Sequence, residues 1–367
     1  MNFIAVLGRQ PKISIAELTA LFGEVKVIAP QIVQVETKKN VDIKRLGGTL
    51  KIAEKINISP LEYLKQLPEG KITLGVSDYS KKTSPRTAQA EALKLKKILT
   101  RHGRSVRVLQ NKEAALSTAT SHHNQLGEKQ NHEELIKIEK TWYRVFGVQN
   151  ITAYAKRDQA RPARDAKVGM LPPKLAQILI NLCGDLPENT RILDPFCGTG
   201  VVLQEAILDN YNIYGTDLSE RMIDYTRRNL AWLKESTGKD IILEVGDATT
   251  HQWKKEIGAV AAEIYLGPPM SVAPADIKLR SAKEDCGTIL RGFLKNLSEQ
   301  ICAETRITLA IPAWLRPDGE YSRLKILDEV DELGYNVVKF KGVSQKDLLY
   351  HREGQVVARE IIVLRKK

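Results

Sequence analysis

Three aspartates stand where short apolar runs end in the second half of this chain. Arg191–Leu193 leads into Asp194-Pro195-Phe196-Cys197-Gly198-Thr199-Gly200, a second run ends Tyr214-Gly215-Thr216-Asp217, and a third leads into Gly246-Asp247-Ala248. Glycines after a strand let a nucleotide-like ligand approach the backbone. The turn is not a phosphate loop, because Val201-Val202 occupy the places of the Lys and Ser/Thr. Nor is it a dinucleotide fingerprint, since Leu203 fills the third glycine position and pyrophosphate needs no acid at the strand tip. S-adenosylmethionine does need such acids. Asp194 can face its ammonium and sulfonium, Asp217 can accept from both ribose hydroxyls, and Asp247 can accept from the adenine amino group. The expected cofactor site is therefore Asp194, Pro195, Phe196, Gly198, Gly200, Asp217, Leu218, Asp247 and Ala248. Met170 and Leu171, opening the helix at Pro172-Pro173, are expected to pack beside its methionine end.

A second constellation follows the fourth strand of the same half. The segment reads Ala262-Glu263-Ile264-Tyr265-Leu266-Gly267-Pro268-Pro269-Met270. Enzymes that methylate amino groups carry Asp or Asn at this tip, then Pro-Pro and an aromatic. The nitrogen of an exocyclic amino group is conjugated with its ring. A side-chain oxygen and a carbonyl that accept its hydrogens let it pyramidalise and aim its lone pair at a methyl donor. Two registers are open. In one, Glu263 is the acceptor and Gly267 closes the tip; in the other, Pro268-Pro269 forms the turn and no side-chain acceptor exists. The first leaves Glu263, Tyr265 and Gly267 as chemistry residues, and the transfer is direct and in line. A covalent cysteine route is not expected: Cys286 and Cys302 lie far beyond the tip, and Cys197 is in the cofactor turn. The four cysteines lack Cys-x-x-Cys spacing and the six histidines lack metal spacing, so no metal is expected.

These residues need a scaffold. From Pro172 onward, strand-like and helix-like segments alternate, with strands at Arg191–Leu193, Asn212–Gly215, Ile241–Val245, Ala259–Ala262, Ile307–Ile311, Asn336–Phe340 and Glu360–Leu364. That alternation predicts an α/β domain with a mostly parallel seven-stranded sheet, Rossmann-like and of the class I methyltransferase type, over 169–367. The first half reads as two α+β pieces, 1–70 and 71–155, joined to it by a basic linker at 156–168. Ser14 and Glu17 spell a capping box for a helix ending near Gly23. Ile43–Lys55 has helical spacing. Ser84-Pro85 opens a helix to about His102, whose polar face carries Lys94, Lys96, Lys97 and Arg101.

Charge separates the halves. Residues 1–168 hold 30 Lys and Arg against 16 Asp and Glu, a net of +14, and 169–367 hold 26 against 28, a net of −2. An excess confined to one half is the footprint of a domain that grips a polyanion. Lys94, Lys97 and Arg101 on the helix, and Arg157, Arg161, Arg164 and Lys167 in the linker, are the expected RNA contacts. There is no apolar run near membrane-span length and no signal-peptide pattern, which points to a cytoplasmic protein.

The turn at 194–200, the segment Arg157–Gln177, the tip Glu263–Gly267 and the stretch Tyr350–Gln355 together resemble the THUMP-containing tRNA guanosine-10 N2-methyltransferases of archaea and eukaryotes. The resemblance covers nearly the whole chain. It implies tRNA as substrate and a ferredoxin-like unit over 1–70. It also implies a THUMP-like RNA-binding domain over 71–155 and, in eukaryotic relatives, a small activating subunit. The family's tip reads Asp-Pro-Pro-Tyr; here Glu263 stands for the Asp and Leu266 for the aromatic. Two other classes remain in view: a DNA amino-methyltransferase acting on adenine N6 or cytosine N4, and an RNA-binding protein with a degenerate catalytic domain.

Overall fold

The computed structural model describes residues 1–165, 170–233 and 238–367. The chain divides into two compact units, Met1–Tyr154 and Ala155–Lys367.

The first unit runs β1 (Asn2–Leu7), α1 (Pro11–Phe22), β2 (Val25–Ala29), β3 (Ile32–Glu36), β4 (Thr49–Lys55), α2 (Pro60–Lys65), β5 (Ile72–Asp78), α3 (Pro85–Arg101), β6 (Val106–Val108), α4 (Thr118–His123), β7 (His132–Ile138) and β8 (Thr141–Val148). All eight strands form one sheet, in the order β2-β3-β1-β4-β8-β7-β5-β6. The expected division at 70/71 falls inside it, because β4 pairs antiparallel with β8 through Lys51↔Val148 and Lys55↔Tyr143. A buried ion pair ties the same two pieces. Lys51 Nζ on β4 donates to Glu134 Oε1 on β7 at 2.5 Å, and Ser77 and Ser121 also donate to that carboxylate.

Two segments differ from what their local pattern predicts. Ser14 and Glu17 lie inside α1 and cap nothing. Ser14 Oγ donates to the Gly48 carbonyl, and the Glu17 carboxylate accepts from the Gly47 and Gly48 amides, each at 2.8 Å. They hold the turn into β4. Ile43–Lys55 is not a helix. After a 3-10 turn at Ile43–Arg45 it becomes β4, which is hydrogen-bonded on both edges, to β1 and β8. Thr49, Lys51, Ile52 and Ala53 are all buried, so the two-residue alternation that marks a half-exposed strand is absent. The helix at Ser84 is as read: Ser84 caps α3 with Thr87 as its box partner. Lys94, Lys97 and Arg101 on it are exposed.

The second unit takes in most of α5 (Ile151–Gln159). It continues with α6 (Pro173–Leu182), β9 (Arg191–Asp194), α7 (Val201–Leu208), β10 (Asn212–Asp217), α8 (Glu220–Leu233), β11 (Ile241–Val245), β12 (Ala259–Glu263), α9 (Asp276–Ser298), β13 (Arg306–Leu315), β14 (Tyr321–Arg323), β15 (Tyr335–Val337), β16 (Leu349–Tyr350) and β17 (Val357–Lys366). Its sheet runs β11-β10-β9-β12-β13-β17-β15, with the short β14 and β16 added beside β13 and β17. The five strands from β11 to β13 are parallel, and β17 returns antiparallel between β13 and β15. The seven-strand main path is as expected; the two extra strands are too short to register as apolar runs. Strand order reverses between β9 and β12, and the crevice outside their carboxyl ends is where such sheets bind ligands. The α9 residues Cys286, Leu290, Phe293, Leu294 and Leu297 pack with Val260, Ala262, Leu309 and Ile311, fixing the strand that carries Glu263.

Candidate active site

One cavity of about 1280 Å³ opens at that reversal. This exceeds the roughly 300–1,000 Å³ of ordinary small-molecule sites and leaves room for two ligands side by side. Asp194 from β9, Asp217 from β10 and Asp247 from the loop after β11 all line it, with Met170, Leu171, Pro195, Phe196, Gly198, Leu218 and Ala248. Glu263, Tyr265 and Gly267 line it too, at the end of β12.

The three aspartates share one local device. Each Oδ1 accepts from the amide two residues on: Phe196 at 3.2 Å for Asp194, Ser219 at 2.9 Å for Asp217, and Thr249 at 2.9 Å for Asp247. This turn holds a carboxylate against its own backbone and fixes its direction. Asp217 Oδ2 also accepts from the Gly198 amide at 2.9 Å, joining the second strand tip to the glycine turn. Phe196 meets Phe293 edge to face at 5.3 Å, which seats the turn on α9.

The electrostatics are lopsided. Asp194 is 2% exposed. Burial pushes its carboxyl well above the usual carboxylate range, and the charges of Asp217 and Glu263 push the same way. Burial raises Asp217 as well, against the Ser219 and Gly198 amides. A buried acid facing other acids is costly for the fold and suited to a cationic ligand.

Gly200 does not line the cavity. It caps α7 at φ 80°, and a Cβ there would sit 2.9 Å from Thr226 Cγ2, so glycine is required by backbone and packing together.

The linker arginines have other duties than those expected. Arg157 Nε donates to Glu205 Oε1 at 2.7 Å, and Glu205 on α7 is buried. Arg161 is 3% exposed and donates to Thr199 Oγ1 at 3.2 Å and to Met170 Sδ at 3.5 Å. Arg157 is thus tied to α7 and Arg161 to the glycine turn itself, so both guanidinium groups are engaged within the domain. A run of basic residues in sequence carries no sign of which face each will occupy. Arg164 is exposed, with Nη1 donating to the Gln159 carbonyl at 3.0 Å. Lys167 lies outside the described residues.

Glu263 is not alone at its tip. Arg359, on β17, donates through Nε to Glu263 Oε1 and lines the same cavity. Burial raises the Glu263 carboxyl while Arg359 pulls it down. Sequence reading missed Arg359. Its signal was an Arg-Glu pair, Arg359-Glu360, inside the otherwise apolar Val356–Leu364. Tyr265 is 46% exposed at the cavity mouth, and Leu266 also faces the cavity.

Comparison with known proteins finds likenesses over part of the chain. Residues 161–282 match the model of the UPF0020 family, described as an RMKL-like methyltransferase domain. A tRNA (guanine(10)-N2)-dimethyltransferase of Methanothermobacter thermautotrophicus is 31% identical over 160 residues, 43% of this chain and 44% of that protein. Its namesake in Pyrococcus abyssi is 42% identical over 79 residues, 22% of each chain. The matched stretches thus span under half the length of these relatives. The crystal structure of TrmN from Thermus thermophilus superposes with a TM-score of 0.52 at 17% identity, covering 100% of both chains, which is a likeness of fold. Residues 155–367 thus have a Rossmann-like fold, within which residues 161–282 match a methyltransferase domain.

Proposed function

We propose that this protein transfers a methyl group from S-adenosylmethionine to the exocyclic N2 of a guanosine in tRNA, position 10 by its likeness to the named relatives. The observation that carries the cofactor half is the convergence of Asp194, Asp217 and Asp247 from adjacent strand ends on one cavity. The donor set fits: a buried acid for the ammonium and sulfonium, a second for the ribose hydroxyls, a third for the adenine amino group. When bound, the cofactor supplies the methyl group. Asp194 balances its positive charge, Asp217 and Asp247 set its register, and Glu263 accepts a hydrogen of the substrate amino group so that the lone pair faces the methyl. The end of β12 at Glu263 favours the register in which that residue is the acceptor.

The substrate half rests on the relatives' names and on charge. The first unit, 1–154, carries the positive excess, and on it we place the ferredoxin-like and THUMP-like RNA-binding elements, with Lys94, Lys97 and Arg101 as contacts. No described helix is long and apolar enough to cross a membrane, and we place the protein in the cytoplasm. The test is transfer from labelled cofactor to bulk tRNA and to duplex DNA, followed by nucleoside mass spectrometry. N2-methylguanosine in tRNA with unlabelled DNA supports the reading; label in DNA overturns it. Glu263→Ala should abolish transfer with cofactor affinity nearly intact, and surviving activity would move the acceptor elsewhere.

A further inference from the structure

The tip at Glu263 departs from the Asp of related tips by one methylene, and the structure shows what accompanies that change. Glu263 pairs in register with Ala310 on β13, and Arg359 on β17 pairs with Pro312 of the same strand. Residues in register, and those two apart on one strand, share a sheet face. Glu263, Ala310, Pro312 and Arg359 therefore lie on one face, with β13 presenting only Ala310 and Pro312 between the two charges. The Arg359 side chain crosses these to reach Oε1 of Glu263. Arg359 is 3% exposed, and the Glu263 side chain 14%, on the cavity wall. The next residue, Glu360, lies on the opposite face and pairs with Arg323 at 2.8 Å, so it does not compete.

We propose that Arg359 is a positioning residue for methyl transfer: by engaging Glu263 Oε1 it sets the reach of the longer carboxylate and leaves the other oxygen to accept a substrate amino hydrogen. This rests on the function proposed above. A free glutamate has one more rotatable bond than aspartate, and an acceptor must be held to a fraction of an ångström for transfer. The pair supplies that restraint. It also pulls the Glu263 carboxyl down against the rise that burial causes, which favours the ionised form. Among the described residues, Arg359 from β17 is the charge that lowers Glu263, and Glu263 in turn raises Asp194 on β9; Ala310 and Pro312, the facing residues of β13, are uncharged.

The test is a pH profile of single-turnover transfer to tRNA at saturating labelled cofactor, for the full chain and for Arg359→Met and Arg359→Lys. Saturation keeps titration of Asp194 out of the rate. The Met variant should lose roughly tenfold or more near neutral pH and regain activity as pH rises, because Glu263 then ionises later. The Lys variant should recover part of the neutral-pH rate, and calorimetric cofactor affinity should stay within about threefold in both. In a Glu263→Gln background, Arg359→Met should change the residual rate by about twofold or less, since Arg359 acts through Glu263. That double variant removes both charges of the pair and keeps the test open if Arg359→Met alone does not fold. An equal loss at every pH, or the same loss in the Gln background, overturns the proposal while leaving the function standing. No transfer by the unsubstituted protein overturns both.

Discussion

Replacing Asp194 with Asn should move stability and cofactor affinity in opposite directions. Asn is isosteric and keeps the Oδ1 that accepts from the Phe196 amide at 3.2 Å, so the turn geometry survives. What it removes is a negative charge that is 2% exposed and opposed by Asp217 and Glu263. The carboxyl is raised in the folded state relative to the unfolded chain. The folded state therefore holds its proton to higher pH, and stability is lost as pH climbs from the ordinary carboxylate range through the folded value. In the ligand-free protein Asp194→Asn should raise Tm at neutral pH, with each 1 kcal/mol relieved worth about 2–4 °C in a unit of this size. The gain should vanish at a pH low enough to protonate the acid in both states. Cofactor affinity should fall, because a hydrogen bond to a charged group is worth about 1.5–3 kcal/mol, or roughly 10- to 150-fold. For the unsubstituted protein, affinity should rise with pH as Asp194 ionises. Differential scanning fluorimetry across pH, with titration calorimetry of the cofactor, reads all of these. A lower neutral-pH Tm in the variant, or unchanged affinity, would refute the argument that this acid is kept for a cation.

Four further outcomes follow from the packing. Lys51→Met strands Glu134, whose side chain is 0% exposed; it should cost about 3–5 kcal/mol in denaturant unfolding, and the 1–154 unit should unfold in one transition, not as separate 1–70 and 71–155 pieces. Arg157→Leu leaves Glu205 without its main partner and should cost a similar amount, about 3–5 kcal/mol, while the salt slope of tRNA binding stays unchanged. Replacing Lys94, Lys97 and Arg101 with Ala should leave Tm nearly constant and lower that slope by about 0.7–0.9 for each phosphate no longer neutralised, measured by filter binding across ionic strength. Gly200→Ala at φ 80° should cost about 1–3 kcal/mol and weaken cofactor binding, which a denaturation midpoint and calorimetry would show.

Much of the second unit was legible because its chemistry is local. Asp194, Asp217 and Asp247 each follow a short apolar run, and each carboxylate is held by an amide two residues on. Sequence spacing alone therefore determined three strand tips, the glycine turn and the start of α7. α3 was equally readable, since Ser84 and Pro85 act within one helical turn. Tertiary structure decided the rest. β4 is buried on both faces, with Thr49 and Lys51 on one and Ile52 on the other, and only its two neighbouring strands make it a strand. Arg157 and Arg161 belong to a basic stretch, yet one finds Glu205 and the other Thr199, 48 and 38 residues away. Arg359 reaches Glu263 across 96 residues, through a strand order no local pattern encodes. A side chain's distant partner depends on which strands become neighbours, and that is settled when the sheets assemble.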